Sequence, residues 1–201
     1  MENSIKSGTT TIGMVCKDGV LLASESRASM GYMITNKEVQ KVFQIDDRIG
    51  VTIAGLISDA QQLINILKAE INLYKLESGE EMKVEAVASL LANIMYARKL
   101  FPYFAQIVVG GIDREGNHLY SFDPTGSKIK EKYVSTGSGC QFVYGILEKD
   151  FREDISMKEG KELIIQAIKS ASERDMASGG KKLWIAEITS KGFKLSEEKI
   201  K

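Results

Sequence analysis

The hydrophobic residues of this chain recur with two periods, and strand-like and helix-like blocks alternate along the sequence. Residues 10–16 and 20–25 are strand-like runs on either side of an Asp-Gly dipeptide at 18–19, which favours a type I′ hairpin turn. Residues 41–45 and 49–54 form a second pair around another short turn. Strands joined by turns this short pair antiparallel. The first quarter of the chain is therefore predicted to form antiparallel sheet.

Two helices are predicted to follow Gly55. The first carries apolar residues at helical spacing, namely Leu63, Ile64, Leu67, Ile71 and Tyr74. The second, over residues 84–100, has an apolar face formed by Val87, Leu90, Leu91, Ile94 and Met95. The pair is predicted to cover one face of a sheet.

The second half of the chain repeats this order. Strands are predicted over three ranges, 105–112, 117–123 and 129–135. A short helix follows the glycine-rich residues 136–139, and a capping box at Ser156 and Glu159 begins another that ends near residue 173. A strong strand is predicted at 183–188 and a short one at 193–195.

Strands, two helices, strands, two helices and strands together predict an α+β protein. Two mainly antiparallel sheets stacked face to face, with a helix pair outside each, would use all four helices. The predicted architecture is a four-layer αββα sandwich. A length of 201 residues is that of one domain.

Composition excludes several functional classes. Lys plus Arg and Asp plus Glu both number 27, so the basic surplus of a nucleic-acid-binding protein is absent, and no apolar run could span a bilayer. Cys16 and Cys140 show no metal-ligand spacing. His118 is the only histidine and is predicted on an exposed loop, so a Ser-His-Asp triad or a histidine-based zinc site is not expected. We expect neither a metal nor a cofactor, and an intracellular protein.

The segment around Gly8 and Thr9 suggests a different nucleophile. A glycine before a hydroxyl residue leaves room for that hydroxyl to attack the preceding carbonyl, in an N-to-O acyl shift that ends in cleavage. The product would begin at Thr9 and carry a free amine beside its hydroxyl. An N-terminal threonine is activated by an amine rather than by histidine. Three threonines at the start of a strand are otherwise unremarkable.

Several short motifs occur together in a specific order: residues 8–13, Lys41, residues 52–55, residues 135–139 and residues 174–180. In this order they resemble the β subunit of the archaeal-type proteasome core, from Gly8 through the strand that contains Trp184. The resemblance implies the N-terminal nucleophile hydrolase fold, which is the αββα sandwich predicted above. It also implies removal of residues 1–8 as a propeptide by self-cleavage between Gly8 and Thr9, leaving 9–201 as one catalytic domain.

The resemblance also implies roles for single residues. Thr9 is the expected nucleophile, its α-amine a proton shuttle, and Lys41 either lowers the pKa of the hydroxyl or takes its proton. Glu25 matches the acidic partner of the lysine, where the family more often has aspartate. The backbone N–H of Gly55 would stabilise the oxyanion. The remaining expected catalytic residues, which orient the amine, are Ser138, Asp175 and Ser178.

The same resemblance predicts a hydrophobic specificity pocket. The positions expected to line it are Ala28, Val39, Ile53 and Ile57. Because all four are apolar, we expect a preference for large hydrophobic residues before the cut. Ser29, where threonine is commoner, would pair its backbone with extended substrate. Without the resemblance, the four aliphatic residues would be interpreted as plain core.

Three functions remain open from the sequence. The first is an active threonine endopeptidase, assembled as sevenfold β rings between rings of α subunits and supplied with unfolded polypeptide by an unfoldase ATPase in the cytoplasm. The second is a catalytically silent β subunit of the same ring. The third is the simpler bacterial two-ring peptidase of related fold, which the segment around Gly8 and residues 174–180 match less well.

Overall fold

The computed structural model describes residues 8–200. The strands are β1 (Thr10–Cys16), β2 (Gly19–Glu25), β3 (Ala28–Met30), β4 (Met33–Asn36), β5 (Val42–Asp46), β6 (Ile49–Gly55), β7 (Ala105–Asp113), β8 (Gly116–Phe122), β9 (Lys128–Lys130), β10 (Tyr133–Gly137), β11 (Lys182–Thr189) and β12 (Gly192–Lys199). The helices are α1 (Ile57–Ser78), α2 (Val84–Tyr96), α3 (Cys140–Asp150) and α4 (Met157–Arg174). None of these helices is long and apolar enough to cross a membrane.

Two five-stranded antiparallel sheets form the centre of the molecule. The first has the order β10-β1-β2-β11-β12 and the second the order β5-β6-β7-β8-β9. Helices α3 and α4 pack on the first sheet, and α1 and α2 pack on the second. A third apolar cluster, which includes Val20, Leu22 and Val108, fills the space between the sheets. The predicted four-layer αββα sandwich is confirmed.

The side chains of strand β2 belong to two apolar clusters, one on each face of the first sheet. Successive side chains of a strand point to opposite faces. Leu21 and Ala23 therefore pack against the α3–α4 layer, while Val20 and Leu22 pack against the second sheet. All four are fully buried. Strands covered on both faces are apolar throughout, which explains why this segment lacks polar alternation.

One predicted strand is in fact two strands of different sheets. The prediction over residues 129–135 is wrong at Glu131 and Lys132, where the chain leaves the second sheet and enters the first. Strand β9 pairs with β8, and β10 pairs with β1. The crossing is fixed by backbone bonds, from Glu131 N to Leu119 O and from Val15 N to Lys132 O. Hydrophobic periodicity does not detect a change of sheet, because the side chains continue to alternate.

The hairpin between β1 and β2 also differs from its prediction. Cys16 pairs with Gly19, so Lys17 and Asp18 are the two loop residues, and neither has the positive φ that a type I′ turn requires. Gly19 is needed for another reason, since a Cβ there would lie 2.3 Å from the carbonyl oxygen of Ile188. The glycine serves the packing of β2 against β11 rather than the turn.

Several other elements differ from their predicted boundaries, because tertiary contacts override the local sequence pattern. The short hairpin β3–β4, whose apolar side chains are largely exposed, was not predicted. Helix α2 ends at Tyr96 instead of residue 100, and β12 is longer than the predicted 193–195. Tyr74 of α1 is exposed, unlike the other four residues predicted to form the apolar face of that helix. The capping box of α4 is present, with Ser156 and Glu159 each accepting the other's backbone N–H.

Candidate active site

Thr9 immediately precedes β1, an interior strand of the first sheet. The hydroxyl of Thr11 accepts a hydrogen bond from Thr52 of the second sheet at 3.1 Å, so Thr11 points into the space between the sheets. Because strand residues alternate, Thr9 is directed to the same side, and Thr10 is directed to the α3–α4 layer. The side chain of Thr9 therefore lies between the sheets, next to the segment that leads into β5.

Lys41, directly before β5, brings its ammonium group to Thr9. Its Nζ lies 2.5 Å from Oγ1 of Thr9 and 2.5 Å from Oε1 of Glu25, and it also donates to the carbonyl of Arg27. Thr9, Lys41 and Glu25 are 2%, 3% and 0% exposed. A buried lysine and carboxylate are costly unless paired and fully hydrogen-bonded. Here the pair is directed at a hydroxyl oxygen.

The carboxylate of Glu25 is held by backbone donors from three segments. Oε1 accepts from Thr10 N at 3.1 Å as well as from Lys41, and Oε2 accepts from Arg27 N at 2.6 Å and Gly179 N at 3.0 Å. These donors compensate for the loss of hydration of a fully buried carboxylate. The glutamate side chain is thus long enough to reach Lys41.

Burial shifts the protonation of this pair. It lowers the pKa of the Lys41 ammonium below its ordinary value, while the charge of Glu25 opposes that shift. It raises the pKa of Glu25, opposed by Lys41 and by the backbone N–H groups of Arg27 and Thr10. A low-dielectric environment disfavours both charged forms. Lys41 therefore gives up a proton more readily than an exposed lysine, as a base working near neutral pH must.

A second polar cluster contacts the backbone of Thr9. Oδ2 of Asp175, just after α4, accepts from Ser138 Oγ at 2.6 Å and from Ser178 Oγ at 2.5 Å. Ser138 Oγ lies 3.3 Å from the nitrogen of Thr9 and 3.3 Å from its carbonyl oxygen. The structure thus brings the three expected amine-orienting residues together, and Ser138 among them contacts the atom that would become the free α-amine.

Gly55 and three of the four expected pocket residues surround a small pocket beside Thr9. Its walls are Thr9, Ala28, Lys41, Ile53, Gly55 and Ile57. Gly55 has φ of +112°, and a Cβ there would lie 2.3 Å from the carbonyl oxygen of Phe104, so the position requires glycine. Val39 is not among the wall residues; its N–H bonds to the carbonyl of Ser26.

Gly8 is packed tightly against the loop that follows Asp175. A Cβ on Gly8 would lie 1.8 Å from Cβ of Ala177, which no real structure tolerates. The N–H of Gly8 donates to Oγ of Ser29 at 3.1 Å. The hydroxyl of Ser29 therefore contacts the residue before Thr9, a role that its sequence position did not reveal.

The other nucleophile, metal and pocket candidates do not combine a nucleophile with a base as Thr9 and Lys41 do. Burial raises the pKa of the Cys16 thiol to about 12, which makes it a poor nucleophile. No group of three His, Cys, Asp or Glu side chains that could hold a metal occurs within residues 8–200. A wider surface groove near Arg48 and Glu81 is lined by both charged and apolar side chains and does not include Thr9.

Sequence reasoning missed those contributions to the site that come from the main chain. Arg27 supplies its carbonyl to Lys41 and its N–H to Glu25, and Gly179 supplies a further N–H. Any residue type carries these groups, so the sequence gives no signal for them. Thr10 was also missed, although its position next to Thr9 on a strand could have suggested a supporting role.

Comparisons with known proteins identify the family of the chain. A family model described as "Proteasome subunit" matches residues 5–186. A proteasome subunit beta of Methanosphaera stadtmanae is 50% identical over 188 residues, covering 94% of this chain and 90% of the relative. That of Methanosarcina mazei is 46% identical over 196 residues, covering 96% and 93%. That of Methanothermobacter thermautotrophicus is 46% identical over 200 residues, covering 99% and 95%.

The fold and the family match define the class: the chain belongs to the proteasome subunit family, whose members form a protease core from several subunits. Within that family it is of the β type, as are the three relatives over nearly their whole length. The archaeal-type resemblance drawn from the sequence motifs is confirmed. These relatives give no support to the simpler bacterial two-ring interpretation.

Proposed function

We propose that this chain is an active threonine endopeptidase and that Oγ1 of Thr9 is its nucleophile. The observation that carries the proposal is the 2.5 Å contact between Lys41 Nζ and Thr9 Oγ1, inside a buried pair with Glu25. A hydroxyl is a weak nucleophile unless a neighbouring group accepts its proton. A buried lysine with a lowered pKa is suited to that task.

The first reaction is removal of residues 1–8. Before cleavage Thr9 has no free amine, so Lys41 is the base in contact with its hydroxyl. Oγ1 attacks the carbonyl carbon of Gly8, and the C–N bond breaks as the nitrogen of Thr9 is protonated, which leaves an ester on Oγ1. Water then hydrolyses the ester and releases the leader with Gly8 as its carboxyl end. The contacts of Gly8 with Ser29 and Ala177 hold the bond in place for this attack.

The second reaction is hydrolysis of substrate peptides by the processed chain, residues 9–201. Oγ1 passes its proton through Lys41 to the α-amine of Thr9 as it attacks the scissile carbonyl, and the oxyanion forms near the backbone of Gly55. The α-amine then gives that proton to the leaving amine. The product is an ester acyl-enzyme that water hydrolyses. Ser138, Asp175 and Ser178 orient the α-amine, since Ser138 already contacts its nitrogen.

The pocket beside Thr9 selects the residue before the cut. Its side-chain walls from Ala28, Ile53 and Ile57 are apolar, which favours a large hydrophobic residue. Val39 does not contribute to that wall in the unprocessed chain. Ser29 pairs with the extended substrate through its backbone.

Assembly completes the proposal. By its resemblance to archaeal β subunits, the chain forms a sevenfold ring of identical copies that stacks between rings of α subunits in the cytoplasm. A regulatory unfoldase ATPase supplies unfolded polypeptide. A confined chamber and activation on assembly protect the cell from an open peptidase.

The test is the intact mass of the subunit in assembled particles. We expect the wild-type chain to begin at Thr9 and Thr9→Ala to keep residues 1–8. Thr11→Ala is the matched control, because it removes a buried hydroxyl of β1 that bonds to Thr136 and Thr52 instead of Lys41, and it should be processed. An assembled wild-type chain that keeps its leader would overturn the proposal and leave a catalytically silent ring subunit.

A further inference from the structure

Thr10, the residue after the proposed nucleophile, contacts both polar groups of the site. Its backbone N–H donates to Oε1 of Glu25 at 3.1 Å, and its Oγ1 lies 2.6 Å from Oγ of Ser178. Thr10 and Ser178 are both fully buried. The Thr10 hydroxyl also fills the space above Gly139, where a Cβ would lie 2.1 Å from it. This hydroxyl has no part in the reactions described so far.

Counting hydrogens gives the direction of the bond between Thr10 and Ser178. A hydroxyl has one hydrogen to donate, and a carboxylate can only accept. The hydrogen of Ser178 goes to Oδ2 of Asp175, at 2.5 Å. Ser178 Oγ must therefore accept from Thr10, and the hydroxyl of Thr10 is the donor.

The same count applies on the other side of Asp175. The hydrogen of Ser138 goes to Oδ2 of Asp175 at 2.6 Å rather than to the more distant carbonyl of Thr9. Ser138 Oγ then accepts from the nitrogen of Thr9 at 3.3 Å. Two arms of hydrogen bonds thus converge on one carboxylate oxygen, one from the nitrogen of Thr9 and one from the hydroxyl of Thr10.

We propose that the hydroxyl of Thr10 is a positioning group for catalysis by Thr9, acting through Ser178 and Asp175; the inference rests on the proposed function of Thr9. Without this donor, Ser178 Oγ keeps only the bond that it donates to Asp175 and is buried with an unsatisfied acceptor. The position of Asp175, which accepts from Ser138 and Ser178 on the same oxygen, is then less tightly constrained. The α-amine of Thr9 loses orientation as a result.

The test compares Thr10→Val, which has nearly the same shape but no hydroxyl, with Thr10→Ser, which keeps it. Thr11→Val is the matched control, since Thr11 is equally buried on the same strand and its hydroxyl bonds to Thr136 and Thr52. Peptidase kcat and KM are measured on assembled particles whose chains begin at Thr9 by intact mass. Chains that still carry the leader are excluded, so slow processing cannot imitate slow catalysis.

Thr10→Val is expected to lower kcat by roughly fivefold to tenfold, the rate equivalent of one lost hydrogen bond, with KM unchanged. KM should not move because Thr10 is not a wall of the pocket beside Thr9. Thr10→Ser is expected to restore kcat to within about twofold, and Thr11→Val to leave it unchanged. If Thr10→Val does not assemble, Thr10→Ala removes the same hydroxyl without the added methyl group.

A double-mutant cycle tests the route through Ser178. If Thr10 acts through that residue, Thr10→Val in a Ser178→Ala background should cause no further loss of kcat. Equal losses in Thr10→Val and Thr11→Val, or additive losses in the double variant, would overturn the inference while leaving Thr9 as the nucleophile. An inactive but processed wild-type particle would instead refute the endopeptidase proposal itself.

Discussion

Within residues 8–200, two largely buried pairs each join a carboxylate to a nitrogen-bearing side chain, and they have different roles. In the first, Lys41 and Glu25 lie between the sheets and direct Nζ at the hydroxyl of Thr9. In the second, His118 of β8 lies 3.0 Å from Asp113 at the end of β7. His118 is buried, which corrects its prediction as an exposed loop residue.

The second pair fixes local structure. Oδ2 of Asp113 accepts from the N–H of Val84, the first residue of α2, and Oδ1 accepts from Glu115 N and from His118. Asp113 thereby caps a helix whose own N-cap, Lys83, makes no side-chain cap bond. Burial opposes ionisation, but the N–H groups of Val84 and Glu115 and the imidazole of His118 together lower the pKa of Asp113.

The comparison shows that a buried charge is not by itself evidence of catalysis. The backbone donors to Asp113 come from the first residue of α2 and from a turn, and among the described residues no hydroxyl bonds to its carboxylate. Around Glu25, the backbone N–H groups bind the carboxylate, and Lys41 contacts both that carboxylate and the hydroxyl of Thr9. What distinguishes the two regions is whether the pair has a reactive atom within hydrogen-bond distance.

Replacing Lys41 should have the largest effect. We expect Lys41→Ala to lower peptidase kcat by about 10³-fold or more and to leave the leader attached, because the base in contact with Thr9 is gone. In the wild type, the lowered pKa of Lys41 means that the rate should rise with pH as Nζ loses its proton, at a pH below the ordinary lysine value of 10.5. Lys41→Ala activity within tenfold of wild type would contradict this assignment.

Glu25→Gln should have the next largest effect. The amide keeps the size of the side chain but removes the charge, so Lys41 loses its buried partner. We expect kcat to fall by about 10²-fold and the free energy of unfolding to fall by about 3 kcal/mol. Glu25→Asp is the control, since it keeps the charge. Its kcat and its free energy of unfolding should lie between those of the wild type and of Glu25→Gln. A Gln variant with full activity would show that the pair only stabilises the fold.

Asp113→Asn should affect stability alone. We expect a loss of about 1–2 kcal/mol in the free energy of unfolding, measured by urea denaturation of the full chain, with peptidase activity unchanged. Because folding lowers the pKa of Asp113, this stabilisation is present above the ordinary aspartate pKa of 3.8 and is lost as pH falls through the lower folded value. A loss of activity in assembled Asp113→Asn particles would break the contrast between the two pairs.

His118→Phe should have the smallest effect. The ring can keep its stacked arrangement over Tyr120, where the planes lie at 7° with centroids 6.3 Å apart, while the bond to Asp113 is lost. We expect a loss of about 1 kcal/mol or less, because Asp113 keeps its two backbone donors. Peptidase activity should stay at the wild-type level. A drop of more than about fivefold would mean that this pair is coupled to the site.

The layers and the candidate catalytic residues were predicted from different kinds of sequence information. The four layers followed from hydrophobic period, but the change of sheet at Glu131 and Lys132 did not, since periodicity carries no information on which strand is the partner. Thr9, Lys41 and Asp175 were proposed from motif resemblance. The backbone donors of Arg27 and Gly179 could not be, because their role depends on where the chain passes and not on the side chain.

The most direct test of the central claim is the location of a covalent acyl adduct. Assembled particles are treated with a hydrophobic peptide β-lactone, which acylates a nucleophilic hydroxyl, and the modified residue is identified by mass spectrometry of the digested chain. We predict an ester on Oγ of an N-terminal Thr9 in the wild type and in His118→Phe, and none in Lys41→Ala. An adduct on another residue, or a processed wild-type chain that stays unmodified, would contradict the assignment of Thr9 as the nucleophile.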